Sequence, residues 1–237
     1  MKTLILSTAA LALSAGFAMA DTVRMGTEGA YPPYNFIDDK GEVAGFEREV
    51  GDELCKRAEL TCEWVTNEWD SIIPNLVSGN YDTIIAAMSI NDERRQNIDF
   101  TTPYFPPAAS AYLSMNAEVP ADAMIAAQTN TIQSEYVAQS GATLVEFDTI
   151  DDAVAAAKNG EADAVFGDKE VLRPFAEGQG LAWAGEEVFL DEGIGVGVRK
   201  SDGELKEKLN AAIDSMKADG SLNALLVKHF GAEAQTF

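Results

Sequence analysis

The stretch YDTIIAAMSINDERR (residues 81–95) decides the fold class. Its first eight residues form an apolar run of strand length, the kind buried on both faces of a parallel sheet. A polar turn follows, and Asn91 is placed to cap a short helix running through Asn97. A buried strand leading into a capped helix is a βα unit, and its repetition makes an α/β protein. Ser89, Asn91 and Arg94 then fall beyond the carboxyl end of a strand, where open α/β sheets bind ligands. A helix start offers unpaired N–H groups and a positive dipole end. Arg94 adds a planar fork that grips a carboxylate at two points. The constellation reads as a carboxylate site; a surface arginine over a capped helix fits the same residues equally well.

Moving outward, the same alternation continues. Residues 22–27 look like a strand, and the YPPY of residues 31–34 like a turn. Phe46, Val50 and Leu54 are spaced as one helical face, and residues 61–66 (TCEWVT) look like the next strand. Ile72, Ile73, Leu76 and Val77 face one way in a helix that stops at Gly79. Residues 101–110 (TTPYFPPAAS) carry three prolines and interrupt the pattern. A second run of βα units follows, with strands over 124–127, 143–147 and 162–166 and helices over 131–139 and 149–158. The glycines of residues 193–197 (GIGVG) have the wrong spacing for a dinucleotide loop and precede no helix, so they read as a strand or hinge. Residues 201–204 (SDGE) fit a capping box before a helix faced by Leu205, Leu209, Ala212, Ile213 and Met216. Gly220 stops it and Ser221 is placed to cap a last helix, with Leu222, Leu225, Leu226 and Phe230 inward. Two βα clusters joined by proline-rich and glycine-rich crossings predict two lobes, with the closing helices covering the first.

Composition narrows the function. The 237 residues hold 17 Lys+Arg, 39 Asp+Glu and one His, a net charge of −22. Such a chain repels phosphate backbones, so nucleic-acid binding through a basic patch is excluded. His229 alone builds neither a multi-histidine metal site nor a Ser-His-Asp or Cys-His nucleophile pair. Lys2, an apolar run over residues 4–17 and small residues at Ala18 and Ala20 make residues 1–20 a signal peptide cleaved after Ala20. Export permits a disulfide, and Cys55 and Cys62, seven residues apart across a helix-to-strand turn, are the candidates. The other state open to them is two free buried thiols. A bond closing so short a loop contributes roughly 2–3 kcal/mol.

Other polar residues stand at comparable strand ends. Asp168 follows the buried run 162–166 and is a candidate cation acceptor. Thr131 opens the first helix of the second cluster and can present a hydroxyl and N–H groups. Facing lobes would thus offer a carboxylate grip and an ammonium acceptor, the two ends of an α-amino acid. Glu28, Tyr31 and Trp69 lie just past strand ends or at loop-to-helix junctions and could line a side-chain pocket, although Trp69 fits a core position as well.

Together these residues resemble the family-three periplasmic solute-binding proteins of ABC importers, nearest in pattern to the lysine/arginine/ornithine-, histidine- and opine-binding proteins. The resemblance spans nearly all of residues 22–231. It rests on GTEGAYPPYNF (26–36), GEVAGFEREVGDELCKRAELTC (41–62), NEWDSIIPNL (67–76), YDTIIAAMSINDERRQNIDFTTPY (81–104), NGEADAVFGD (159–168) and the tail GVGVRKSDGELKEKLNAAIDSMKADGS (195–221). It implies a two-lobed periplasmic binding protein type II fold with two interlobe crossings. Residues 21–106 and 194–237 would form one lobe and 107–193 the other, with hinges near 106–109 and 191–193. Arg94 matches the arginine that grips the ligand carboxylate, with Ser89 beside it and the Thr131 N–H joining from the second lobe. Asp168 matches the aspartate that takes the α-ammonium, and Glu28 an acid used for a cationic side-chain tip. Tyr31 and Trp69 match aromatic walls, and Cys55 with Cys62 a disulfide of the basic-amino-acid binders.

There are departures from the pattern. Ala86 and Ala87 stand where basic-amino-acid binders often carry serines, and AAMS (86–89) resembles the opine binders; the alanine backbone would serve instead. QTNTI (128–132) replaces a glycine-containing turn. The resemblance implies a periplasmic monomer without cofactor or metal that delivers a polar L-amino acid, a basic one such as arginine, ornithine, lysine or histidine, to an ABC permease and catalyses nothing. The rivals are an opine binder and an exported dehydratase on the same fold.

Overall fold

The computed structural model describes residues 22–116, 118–176 and 180–237. The signal-peptide reading of residues 1–20 falls outside them. The chain runs β1 (Val23–Thr27), β2 (Ala30–Tyr31), β3 (Asn35–Ile37), β4 (Val43–Ala44), α1 (Phe46–Arg57), β5 (Cys62–Thr66), a 3-10 turn (Trp69–Ser71), α2 (Ile72–Val77), β6 (Thr83–Ile84), α3 (Asp92–Arg95) and β7 (Asp99–Phe100). It continues with β8 (Ala109–Ser114), β9 (Met124–Gln128), α4 (Ile132–Ser140), β10 (Thr143–Phe147), α5 (Ile150–Asn159), β11 (Ala164–Asp168), α6 (Lys169–Ala176) and β12 (Ala182–Phe189). β13 (Gly197–Val198), α7 (Gly203–Ala218) and α8 (Ser221–Phe230) close it.

Two mixed five-stranded sheets organise two lobes. The first has the order β5-β1-β6-β13-β7 and the second β10-β9-β11-β8-β12. β1 is parallel to β5 and β6, and β9 to β10 and β11, as the βα pattern predicts. β13 is antiparallel to β6 and β7, so the late chain returns to the first sheet. α7 and α8 pack on α1, burying Leu209, Ile213, Met216, Leu222 and Leu226. Cys55 and Cys62 are disulfide-bonded, with Cα atoms 6.2 Å apart, tying the end of α1 to β5.

Several local expectations are corrected. The run over residues 81–88 is buried as expected, yet only Thr83–Ile84 pairs as a strand. Ala87 takes a left-handed φ of 49°, which turns the chain out of the ladder. The capping box at 201–204 does not form: Asp202 precedes α7 without a side-chain cap and instead pairs with Arg199 at 2.7 Å. α8 is preceded by Gly220 in the left-handed region, so Ser221 is its first residue and not its cap. β8 begins directly after the prolines of residues 103–107, and the small antiparallel sheet β2-β3-β4 and α6, with Pro174 inside it, had no sequence counterpart.

The glycine-rich 193–197 segment leads from β12 into β13 and is hydrogen-bonded to the stretch before β8: the Ile194 and Phe105 backbones bond reciprocally. Gly193 has φ +107°, and a Cβ there would sit 2.7 Å from the Phe105 carbonyl oxygen. Only glycine allows that approach.

Candidate ligand-binding site

All nine residues singled out from sequence line one small cavity, of about 20 Å³, between the lobes. These are Glu28, Tyr31, Trp69, Ala86, Ala87, Ser89, Arg94, Thr131 and Asp168; Gln128, Ile132 and Gln133 complete it. A larger groove shares Trp69, Arg94, Thr131 and Ile132 with it.

Asn91 caps α3, its side-chain oxygen accepting the Arg94 N–H at 2.8 Å. The cap fixes the turn that carries Arg94, whose guanidinium is aimed inward and only 8% exposed. It donates to the Ser89 carbonyl at 2.8 Å and, across the lobes, to the Asn130 carbonyl at 3.3 Å. It lies 5.3 Å from the Trp69 ring centre, so Trp69 belongs to the cavity wall. Burial lowers the Arg94 pKa to about 10, against the opposing pull of Asp168. At neutral pH the group remains a cation.

Asp168 ends β11 and is 6% exposed. The Tyr31 hydroxyl donates to it from the other lobe at 2.7 Å, and the Gln133 amide at 3.0 Å. Burial raises its pKa to about 7, with both hydrogen bonds working the other way. Glu28, just past β1, is also pushed up to about 7 by burial. The Gln128 amide donates to it across the lobes at 2.6 Å and also to the Asp148 carbonyl at 3.1 Å. At the rim, the Asn130 amide donates to Asp70.

Thr131 is more occupied than its sequence position implies. Its hydroxyl accepts the Ser134 N–H at 3.0 Å and donates to the Gln128 carbonyl at 2.8 Å, while its N–H donates to the Ser134 hydroxyl at 3.3 Å. It holds the start of α4. Asn130 takes φ 53°, a left-handed turn just before the start of α4. The Ala87 N–H likewise points away from the cavity, into Glu47 at 2.6 Å. The Ser89 side chain bonds Asp191, beside the glycine-rich segment.

Sequence reading missed Gln128, Ile132 and Gln133. Gln128 ends β9, so the strand-end rule that found Asp168 applied to it too. Gln133 lies in the first turn of α4, where nothing in sequence shows that it faces Asp168. Among the described residues, no group of three His, Cys, Asp or Glu is placed to hold a metal ion.

The arrangement thus offers one buried cation, one buried and one half-buried carboxylate, two aromatic walls and amide groups at both ends, and known proteins share its framework. The family model for bacterial extracellular solute-binding proteins, family 3, matches residues 23–232. An L-arginine-binding protein of Pseudomonas aeruginosa is 32% identical over 232 residues, covering 90% of each chain. The lysine/arginine/ornithine-binding periplasmic protein of Escherichia coli is 30% identical over 243 residues, covering 95% of this chain and 92% of its own. A crystal structure of a periplasmic His/Glu/Gln/Arg/opine family-binding protein from Silicibacter pomeroyi, in complex with lysine, superposes with a TM-score of 0.89. It is 62% identical and covers 91% of this chain and 100% of that one. With both lobes inside the match and the cleft between them lined as described, the chain belongs to the bacterial extracellular solute-binding proteins, family 3.

Proposed function

We propose that the chain is the exported substrate-binding component of an amino-acid ABC importer and that its ligand is a basic L-amino acid: arginine, ornithine or lysine, with histidine in the same class. The observation that carries this is the charge content of the cavity, Arg94 against Asp168 and Glu28. A basic amino acid brings one carboxylate and two cations, the complement of that set. Each buried charge needs such a partner, because an unpaired one is strongly disfavoured. In this reading Arg94 takes the α-carboxylate, Asp168 the α-ammonium and Glu28 the side-chain cation. Tyr31 and Trp69 flank the side chain, Ala86, Ala87 and Ser89 form the floor beside Arg94, and Thr131 fixes the opposite edge. The arginine-binding relative and the lysine-complexed neighbour support the same ligand class.

The protein would be cut after Ala20, work in the periplasm as a monomer, and meet its permease transiently. An opine carries a further carboxylate, and among the described cavity residues Arg94 is the only cation to receive one. A dehydratase would use Glu28 as an acid; a ligand recovered unchanged after binding argues for transport instead. A thermal-shift screen over the common amino acids and two opines tests the reading. A ligand at about 100 times its Kd adds about 2.7 kcal/mol to the folded state. Arginine, ornithine or lysine is expected to give the largest rise; a rise only with neutral or acidic amino acids, or with an opine, would overturn the assignment.

A further inference from the structure

The chain buries one carboxylate that the ligand reading does not use. Glu47 lies in the first turn of α1 and has no exposure. Three donors converge on it. The Ala87 N–H reaches its Oε1 at 2.6 Å, the Tyr104 hydroxyl bonds the same oxygen, and the Asn35 amide reaches Oε2 at 2.7 Å. Asn35 in turn accepts the Gly29 N–H at 2.7 Å through its own side-chain oxygen. The position of Glu47 is itself fixed. Phe46 and Glu47 donate their N–H groups to the Pro33 and Tyr34 carbonyls at 3.0 and 2.9 Å. Gly45, with φ +109°, makes the approach possible, since a Cβ there would lie 2.5 Å from the Tyr34 oxygen.

The two backbone groups at the ends of this network belong to separate stretches of the cavity lining, those that follow β6 and β1. Ala87 is a wall residue held at φ 49°, and Gly29 follows Glu28 directly. We infer that Glu47 is a positioning residue for ligand recognition, holding the Ala87 floor directly and the Glu28 loop through Asn35 in one fixed relation. It touches no ligand. This rests on the proposed ligand reading, because it assigns one end of the network to the carboxylate grip and the other to the side-chain acid.

Hydrogen-bond geometry makes the inference sharp. Glu47→Gln keeps the shape but leaves one oxygen where two were needed. If the new amide faces Ala87, that N–H meets a donor. If it faces Asn35, the Asn35 amide must flip, and the Gly29 N–H loses its acceptor. Either way a backbone donor in or next to the cavity lining is orphaned. Tyr104→Phe, by contrast, removes one donor and leaves both cavity-side acceptors in place.

Titration calorimetry with L-arginine and its neutral isostere L-citrulline on three variants tests this, alongside thermal melts of each. Glu47→Gln is expected to weaken arginine binding about tenfold while remaining folded. Asn35→Ala, which frees only the Glu28 arm, is expected to reduce the arginine-over-citrulline preference. Tyr104→Phe is expected to melt lower yet bind arginine within about twofold of wild type. Affinity losses that follow melting temperature across all three variants would overturn the inference, as would wild-type affinity and selectivity in the first two. Should Glu47→Gln not fold, the Asn35→Ala and Tyr104→Phe contrast decides alone. A wild-type chain that binds no basic amino acid refutes the ligand reading instead, and the variants are then scored with the amino acid that does bind.

Discussion

Arg94 shows how one residue is committed before any ligand arrives. Its backbone is held by Asn91, its guanidinium by the Ser89 and Asn130 carbonyls and the Trp69 face. A fork so fixed loses little freedom when it meets a planar carboxylate. Arg94→Ala removes the only cation among the described cavity residues and leaves a bound carboxylate unpaired. It is expected to cost roughly 3–5 kcal/mol, about two to four powers of ten in affinity, measured by calorimetry. A loss under about threefold would remove Arg94 from the ligand grip. At this scale much was legible. Ser89, Arg94 and Asp168 stand out because polar residues just beyond apolar strands have few structural reasons to be there. The donors that complete the site were not. Gln128 meets Glu28 across 100 residues of sequence and Gln133 meets Asp168 across 35. The first pairing exists only once the lobes face each other and the second only once α4 packs on β11, and local sequence carries no trace of either.

Elements show the opposite balance, with existence easier to read than extent. The apolar run at 81–88 is as buried as its composition predicts, but β6 keeps only two ladder residues because Ala87 turns left-handed. The Ala87 N–H in that turn is bonded to Glu47, forty residues away, a partner that local propensity does not report. The 193–197 segment was readable as a strand or hinge because glycines there signal close backbone approach. Gly193→Ala tests that packing. With φ +107° and a Cβ placed 2.7 Å from the Phe105 oxygen, it is expected to destabilise the fold by about 1–3 kcal/mol in a denaturant melt. Gly203→Ala, at the start of α7 with nothing within 4 Å, is expected to be neutral or stabilising by up to about 1 kcal/mol. Equal loss in both variants would show that Gly193 is tolerated by movement of the stretch before β8.

For the whole molecule, the net charge of −22 sits mostly outside the cavity, and the two acids inside it behave differently from the rest. Burial raises Glu28 and Asp168 to about 7. The folded chain therefore holds more protons than the unfolded chain from the ordinary carboxylate range up to about pH 7. Through that window these two groups make the ligand-free fold less stable as pH rises. A dicationic ligand binds their ionised forms, so affinity is expected to rise between about pH 6 and pH 8. Near the lower end, binding is expected to release up to about two protons, read by calorimetry in buffers of different ionisation enthalpy. Glu28→Gln should roughly halve that release. An affinity independent of pH would place both acids outside the ligand's reach.

The division of the cavity between the sheets also sets an order of events. Glu28, Trp69 and Arg94 come with the first sheet and Tyr31 with the small sheet beside it, while Thr131, Gln133 and Asp168 come with the second. On the proposed reading, an incoming solute would be captured by the first group alone, at the pace of diffusion. Its departure would need the second group to swing clear, breaking contacts such as Tyr31 to Asp168 and Gln128 to Glu28 on the way. Residence time would then be governed by how often the jaws part and only weakly by the strength of any single grip, so a docking partner that pried the lobes apart would control when the cargo is surrendered.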